Sequence, residues 1–303
     1  EAGLDYQVYE GVGLISKKEL IKNISDCEVL ICPLSTQVDR EVIDAAPELK
    51  LIANFGAGFN NIDSAYAKEK KIYVTNTPVV STNATAELTA GLIISLSRRI
   101  VEGDRLMHDQ SFDGWAPLFF LGHELKDKTL GIIGMGQIGQ ALARMMNAFG
   151  MKILYTQRRP LTPELEKKLQ ATYASQAEVI QQADVLTLHA PLTEETHHLL
   201  TNEAFEQMKE TAFLINAARG PLIDEAALLQ ALKNHQIAGA ALDVYEFEPQ
   251  VTKGLEKLSN VILTPHIGNA SVEARDQMAE IVANNAIAIE KHESIKHIVN
   301  GLD

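Results

Sequence analysis

The sequence predicts an α/β protein with two open, doubly wound parallel sheets. Short apolar runs rich in β-branched residues alternate with helix-length segments along the whole 303-residue chain. This alternation is typical of parallel strands that are buried on both faces. It pauses over a long helical segment and restarts near residue 129, which indicates two sheets. The chain length also suggests about two domains.

The composition narrows the class of protein. Hydrophobic residues make up 46% and charged residues 22%, which is typical of a globular chain. The net charge of −13 argues against nucleic acid or an anionic membrane as the main partner. No apolar run approaches the ~20 residues that span a bilayer. Two cysteines, Cys27 and Cys32, offer neither a disulfide framework nor a zinc site, which favours a reducing cytoplasm.

The first part of the chain predicts a small parallel sheet. Its strands are expected at residues 29–32, 51–54 and 72–74. A strand-like stretch at 6–9 precedes them, and the sequence begins at Glu1 without Met. Because an open α/β domain normally begins with an earlier strand, we expect the true N-terminus to be missing. A long helix is then predicted at about 84–103, followed by a loop with Trp115, which could cap an active site or pack against a second subunit.

The second part predicts a complete dinucleotide-binding domain. Six strands are expected at residues 129–133, 152–156, 185–189, 212–216, 239–244 and 260–264. Six parallel strands with crossover helices form the Rossmann arrangement. A last helix at about 271–290 has no sheet of its own to cover, so we expect it to return to the first domain.

A GxGxxG motif occupies residues 134–139, between a predicted strand and an amphipathic helix whose packed face is expected to include Phe149. In that context the motif predicts a pyrophosphate site. Its glycines, Gly134, Gly136 and Gly139, let the backbone approach the phosphates at the positive end of the helix.

The residues beyond the motif indicate which dinucleotide is bound. A site that selects NAD usually carries Asp or Glu about 20 residues further on. No acidic residue occurs from Gly134 through Pro163, and the second strand is followed by Arg158 and Arg159. Guanidinium groups can bind a 2′-phosphate that a carboxylate would repel. The sequence therefore predicts NADP, and a solvated basic turn is the alternative.

Three reactive side chains follow consecutive strands at the carboxyl edge of the predicted sheet, where ligands bind in this architecture. They are Arg219, Glu248 and His266. Hydride transfer to a 2-oxo acid needs a cation for the carboxylate and ketone, which Arg219 can supply. It also needs an acid that protonates the oxygen, as His266 can. A carboxylate beside that histidine, such as Glu248, favours imidazolium and orients the ring.

Four segments together resemble the D-isomer-specific 2-hydroxyacid dehydrogenase family, in the family's order and over nearly the whole chain. They are GMGQIG at 134–139, NAARG at 216–220, LDVYEFEP at 242–249 and TPHIG at 264–268. The resemblance implies an active site of Arg219, Glu248 and His266, and a homodimer. It also implies a Rossmann domain at 99–269 inserted into a flavodoxin-like substrate domain made of 1–98 and 270–303.

The resemblance further assigns binding residues. Its cofactor contacts, beyond the glycines, correspond to Gln137, Ile138, His189, Ala190, Pro191, Ala218, Asp243 and Gly268. Among these, Asp243 matches the residue that holds the nicotinamide carboxamide. The glycine-rich loop at 54–63, with Ala57 and Gly58, matches the loop whose amides bind the substrate carboxylate. A plain glycine-rich turn is the alternative reading of that loop.

The turn at 155–158 resembles that of NADP-using glyoxylate and hydroxypyruvate reductases. The expected reaction is therefore the reduction of glyoxylate or hydroxypyruvate to the D-2-hydroxy acid, with 2-ketogluconate or pyruvate as alternative substrates. A cofactor-sensing protein related to transcriptional corepressors is an alternative of another class, since these share the fold and the three residues. His197 and His198 are interpreted as surface residues, and no cluster has the spacing of metal ligands.

Overall fold

The chain folds into two α/β units, which confirms the predicted fold class. The computed structural model describes residues 3–11 and 13–302. One unit comprises Glu1–Ser81 and Ala270–Asp303, and the other comprises Thr82–Asn269. The strands are β1 (Val29–Pro33), β2 (Leu51–Phe55), β3 (Tyr73–Thr75), β4 (Thr129–Ile133), β5 (Lys152–Thr156), β6 (Ala171–Tyr173), β7 (Val185–Leu188), β8 (Phe213–Asn216), β9 (Gly239–Leu242) and β10 (Val261–Leu263).

Eleven α-helices connect these strands in the described part of the chain. They are α1 (Lys17–Asn23), α2 (Arg40–Asp44), α3 (Ser64–Glu69), α4 (Thr82–Ser97), α5 (Ile100–His108), α6 (Gln137–Ala148), α7 (Pro163–Leu169), α8 (Gln176–Gln182), α9 (Asn202–Gln207), α10 (Glu225–Lys233) and α11 (Val272–Glu290). Most begin at an Asp, Ser or Thr whose side chain accepts a backbone N–H of the first turn, as at Asp63 and Ser271. These caps satisfy donors that the helix itself leaves unpaired.

The first unit contains a parallel sheet in the order β1-β2-β3. The central strand β2 is fully buried from Leu51 to Ala53. The long C-terminal helix α11 covers one face of it, with Val282 packed against Leu51 and Ala53. The strand-like stretch at 6–9 forms no strand, and Tyr6 and Val8 are exposed.

The second unit contains a parallel sheet of seven strands in the order β10-β9-β8-β7-β4-β5-β6. All six predicted strands are present in this sheet. The sequence missed β6, a strand of three residues at the edge of the sheet. Strand prediction relies on an apolar run, and β6 has none because it is short and contains the polar Thr172. The sequence therefore gives no strand signal between α7 and α8.

Helix α4 belongs to the second unit, so the chain divides at Ser81/Thr82 and not at the expected 98/99. Its buried residues Ala86, Ile93 and Leu96 share one core cluster with Leu142 and Met146 of α6. Burying this apolar face against the seven-stranded sheet fixes the helix to that unit. The second division of the chain falls between Asn269 and Ala270.

The helix predicted at 84–103 is interrupted. Arg99 adopts a left-handed backbone conformation, with φ +55, and separates α4 from α5. Its guanidinium binds both carboxylate oxygens of Glu102, at 2.6 and 2.9 Å, and lies 4.1 Å from the ring centroid of Phe120. These contacts stabilise the break between α4 and α5. The sequence does not predict this break, because neither glycine nor proline stands at it.

In the described part of the chain, no helix has the length and apolarity needed to cross a membrane. The same residues contain no group of three or more potential metal ligands. Both cysteines are free, and Cys32 is buried.

Candidate active site

The carboxyl ends of the parallel strands in the second unit form one rim. The segments after β8, β9 and β10, which are neighbours in the sheet, carry Arg219, Glu248 and His266 on this rim. The segment after β4 carries the glycine motif. The strand order changes direction between β4 and β7, which is the position where such sheets bind ligands.

Glu248 and His266 form a direct pair. The Glu248 Oε2 atom lies 3.0 Å from His266 Nδ1, and the two side chains are 36% and 33% exposed. Glu248 Oε1 accepts the backbone N–H of Tyr245 at 3.0 Å. Because Nδ1 is bound to the carboxylate, Nε2 is the ring nitrogen left to face a ligand.

His266 has a left-handed backbone conformation with φ +53. Such a conformation is costly for a residue with a side chain, and it persists only where surrounding contacts impose it. Here the N–H of His266 donates to the carbonyl of Thr264 at 3.0 Å, and the next two amides bind Asp243. The turn is thus held in one geometry.

The electrostatics of Glu248 favour its charged form. Burial would raise the pKa of Glu248. The hydrogen bond and charge of His266 lower this pKa, and so do the Tyr245 N–H and the charge of Arg219. These effects together exceed the effect of burial, so the pKa of Glu248 is lowered overall. Burial lowers the pKa of the Arg219 guanidinium from its usual value, against the attraction of Glu248. An arginine remains cationic even so, because its usual pKa is far above neutrality.

Arg219 is positioned by its own segment and by a close approach of two loops. Asn216 at the end of β8 binds the Ala218 N–H at 3.0 Å and the Arg219 carbonyl at 2.9 Å. The guanidinium donates to the Ala218 carbonyl at 2.7 Å. A Cβ at Gly220 would lie 1.9 Å from the Tyr245 carbonyl group, so only glycine fits there. The loops carrying Arg219 and Glu248 can therefore touch.

Asp243 is a buried carboxylate at the end of β9, with no exposed surface. It accepts the Thr264 hydroxyl at 2.6 Å and the amides of Ile267 and Gly268 at 2.8 Å each. These bonds connect the end of β9 to the turn after β10. Asp243 thus orders the segment that contains His266.

The glycine motif fits a dinucleotide. Gly134 has φ +100, and Gly136 precedes α6 without any side chain capping the helix. A Cβ at Gly136 would meet no atom within 4 Å, so the space before the first amides of α6 is open. Exposed N–H groups at the positive end of a 12-residue helix suit a pyrophosphate. The glycine motif and the first turn of α6 therefore fit the pyrophosphate of a dinucleotide cofactor.

The packed face of α6 differs slightly from the prediction. Gly139, Leu142, Ala143 and Met146 are buried. Phe149, expected on that face, is 48% exposed beyond the last helical residue. Gly150 follows with φ +77, the left-handed conformation that often ends a helix.

The turn after β5 exposes Arg158 and Arg159, and neither guanidinium forms a hydrogen bond or ion pair with a described residue. Tyr155, whose ring is fully buried, fixes this turn through its hydroxyl. The Tyr155 hydroxyl accepts the Leu161 N–H at 2.8 Å and donates to Glu166 at 2.7 Å. The two arginines are thus free to bind a ligand from an ordered turn.

The segment after β7 contains His189 and Pro191. The His189 N–H donates to the carbonyl of Ile133 at 2.7 Å, which places this segment beside the glycine motif. Burial lowers the pKa of His189 to about 4, so its ring is neutral at physiological pH. Nε2 lies 3.1 Å from the Thr187 hydroxyl, while Nδ1 has no partner among the described residues.

The glycine-rich loop of the first unit follows β2. Asn54 donates to the carbonyls of Gly56 and Gly58, at 3.1 and 2.6 Å, and Asn76 donates to the carbonyl of Ala57 at 2.7 Å. The carbonyls of Gly56, Ala57 and Gly58 are thus hydrogen-bonded. The amides of Ala57 and Gly58 donate to no residue that the structure describes. Such amides can bind an anion.

Sequence reasoning missed a second group of polar residues near the rim: His198, Glu225 and Glu246. His198, interpreted as a surface residue, is partly buried and lies 2.7 Å from Glu246. Its neighbour His197 is exposed as expected. Glu225 is buried, with only 1% of its surface exposed. Its position directly after Asp224 resembles an ordinary helix start, so spacing alone could not reveal its partners.

A doubly wound sheet with this glycine motif is typical of a dinucleotide-binding domain. A family model for the NAD-binding domain of D-isomer-specific 2-hydroxyacid dehydrogenases matches residues 90–268. The chain belongs to that family.

Relatives cover nearly the whole chain. A Staphylococcus aureus (strain MRSA252) protein, whose name assigns it to the 2-hydroxyacid dehydrogenases, is 55% identical over 98% of this chain and 93% of its own. The solved TT0316 protein of Thermus thermophilus is 41% identical, with TM-score 0.89, over 95% of this chain and 91% of its own. A glyoxylate reductase from Paecilomyes thermophila is 37% identical, with TM-score 0.83, over 93% and 88%.

Proposed function

We propose that this protein reduces a small 2-oxo acid, glyoxylate or hydroxypyruvate, to the 2-hydroxy acid with NADPH. The observation that carries the proposal is the Glu248–His266 pair on the same rim as Arg219 and the glycine motif. These groups supply the cation, the proton donor and the cofactor cradle that the reaction needs. The similar glyoxylate reductase supports the choice of substrate.

In this proposal the bound cofactor supplies a hydride to the carbonyl carbon. Arg219 binds the substrate carboxylate and polarises the ketone with its planar fork. His266 gives the proton on Nε2 to the ketone oxygen as that oxygen gains charge. Glu248, 3.0 Å from Nδ1, stabilises the imidazolium before the transfer and fixes the ring. The amides of Ala57 and Gly58 in the first unit have no partner among the described residues, which suits the carboxylate-binding role proposed for them.

The preference for NADPH is proposed from the turn after β5. Arg158 and Arg159 are exposed and unpaired among the described residues. The pKa of Glu195 is lowered, mainly by the Thr193 hydroxyl and its own backbone amide and in smaller part by the charge of Arg158. The charge of Arg158 thus acts on the segment after His189 and Pro191, which is assigned to the adenosine half. A 2′-phosphate there would meet a guanidinium group.

We also propose that the protein is a cytoplasmic homodimer. The support for a second copy is an apolar stretch after α5. Trp115, Leu118 and Leu121 are 81%, 84% and 60% exposed. Large apolar side chains clustered on a surface favour a protein interface. Light scattering of the purified protein should give twice the chain mass of 33.2 kDa, and a monomer at micromolar concentration would contradict this.

The test is the initial rate of NADPH and NADH oxidation with glyoxylate, hydroxypyruvate, pyruvate and 2-ketogluconate. Fast turnover of the first two acids, selective for NADPH, is expected. A preference for NADH would reject the assignment of Arg158 and Arg159. Fast turnover of pyruvate or 2-ketogluconate alone would assign that acid as the substrate instead. Tight cofactor binding without any turnover would favour a cofactor-sensing protein.

A further inference from the structure

We propose that Glu225 is a positioning residue that holds Glu248 against His266; the inference rests on the proposed function. Glu225 is the first residue of α10 and forms no hydrogen bond with either member of that pair in the described structure. Its effect passes through the loop at 245–252, which contains Glu248 and has no helix or strand of its own.

Glu225 binds the loop on both sides of Glu248. Its Oε1 atom accepts the N–H of Glu246 at 2.7 Å, and its Oε2 atom accepts the N–H of Thr252 at 3.3 Å. Glu248 lies between these two residues in the chain. One buried carboxylate therefore fixes both ends of the segment that carries the partner of His266.

Glu246 returns the contact. Its Oε2 atom accepts the backbone N–H of Glu225 at 3.1 Å, and its Oε1 atom lies 2.7 Å from Nε2 of His198. The backbone N–H of His198 donates in turn to the carbonyl of Pro221 at 2.8 Å. Pro221 follows Arg219 by two residues. The bonds of Glu225, Glu246 and His198 thus connect the loop of Glu248 to the segment of Arg219.

The chemistry of the site requires a carboxylate at position 225. Both oxygens of Glu225 accept N–H groups, and the side chain also sits at the positive end of α10. A glutamine would keep one acceptor and turn an NH2 group toward the second N–H. Because Glu225 is buried, water cannot replace the lost bond without local rearrangement. The loop would then shift at one end.

A shift of this loop acts on the active-site pair and not on the cofactor motif. The 3.0 Å separation of Glu248 and His266 would lengthen, and the imidazolium would lose part of its countercharge. The charged groups of the rim around His266, namely Glu248, Arg219 and Asp243, would all remain present. The glycine motif and the turn of Arg158 make no hydrogen bond to Glu225 in the described structure.

The test compares E225Q, E225D and E248Q in the full chain. E164Q is the matched control, because Glu164 is an exposed glutamate in the first turn of α7. For E225Q we expect kcat for 2-oxo acid reduction to fall about tenfold, with the Kd of NADPH within twofold of wild type. The alkaline limb of the kcat profile should move to lower pH. E225D keeps the charge and should restore part of kcat, whereas E164Q should match wild type.

NMR can follow the imidazole titration of His266, whose signal is identified by its loss in H266N. This titration reports on the Glu248–His266 pair without turnover. E225Q should move its midpoint in the same direction as E248Q. A shift in E248Q but none in E225Q would overturn the positioning role. So would a fall in kcat with an unchanged pH profile, which is the signature of a general structural effect. If E225Q does not fold, E246Q is measured instead. Glu246 accepts the Glu225 N–H and pairs with His198, and E246Q removes one of these two acceptor oxygens.

Wild-type protein that turns over no 2-oxo acid would reject the proposed function alone. The NMR comparison of E225Q with E248Q would still decide whether Glu225 positions Glu248.

Discussion

Replacing Tyr155 with phenylalanine tests whether one buried hydroxyl orders the turn that carries Arg158. The ring fits its core site in either residue, so Y155F removes only the oxygen that accepts the Leu161 N–H at 2.8 Å and donates to Glu166 at 2.7 Å. Burial is the main cause that raises the pKa of Tyr155 to about 12. The hydroxyl is therefore protonated throughout pH 6 to 9, and the effect of the substitution should not vary over that range.

The magnitude follows from those two bonds. Each contributes about 1 kcal/mol, and the unpaired Leu161 amide adds a cost of similar size, so Y155F should lose about 2 to 3 kcal/mol of local stability. Amide exchange of Leu161 should become about 30-fold to 150-fold faster. The kcat/KM for NADPH should fall severalfold through KM, because the turn must be reordered on binding, while the kcat/KM for NADH changes less.

The matched control is Tyr173→Phe, since the exposed Tyr173 hydroxyl makes only a 3.4 Å bond to the Gln157 carbonyl on the same turn. Y173F should leave both readouts near wild type. Unchanged Leu161 exchange in Y155F would refute the argument that this hydroxyl fixes the turn. Faster exchange with an unchanged ratio of NADPH to NADH efficiency would separate the order of the turn from cofactor choice.

The remaining predictions concern the proposed active site and cofactor site. R158A should lower kcat/KM for NADPH by about 10-fold to 150-fold, the equivalent of a charge-assisted hydrogen bond, and change NADH less than threefold; equal losses would remove Arg158 from the 2′-phosphate site. H266A should lower kcat by about 10²-fold to 10⁴-fold while isothermal titration gives an unchanged Kd for NADPH; a substantial residual rate would make another group the acid. E248Q should move the alkaline limb of reduction to lower pH, and an unchanged profile would contradict its role. Because the folded-state pKa of Glu248 is lowered, any stability from its charge is present above its unfolded pKa of about 4.3 and is lost as pH falls through the folded value. The difference in urea midpoint between wild type and E248Q should therefore shrink below about pH 4.

The sequence predicts most of the second unit because its signals are local. A strand, a glycine motif and an amphipathic helix follow one another directly in residues 129–148. Arg219, Glu248 and His266 could be assigned to one rim, because consecutive parallel strands end at the same edge. The pairing of Glu248 with His266 was predicted, and the structure places them 3.0 Å apart.

What the sequence could not predict depends on contacts between distant segments. Helix α4 joins the second unit because its apolar face packs on α6, and helix propensity carries no information about that partner. The break at Arg99 depends on Glu102 and Phe120 acting together. Glu225 and His198 looked unremarkable because their partners lie 21 and 48 residues away. Polar contacts over such separations need the folded chain.

The division of the chain at Ser81/Thr82 and Asn269/Ala270 has a consequence for how such proteins diversify. The proposed cofactor determinants, Gly136 and Arg158, lie in the continuous middle segment, and the proposed carboxylate-binding amides of Ala57 and Gly58 lie outside it. Each set is held by bonds within its own unit. Recombination at the two junctions would exchange the amides of the first unit, while Arg219 and the cofactor determinants stay together in the middle segment. A lineage could thus acquire a new acid substrate while retaining its nicotinamide pool.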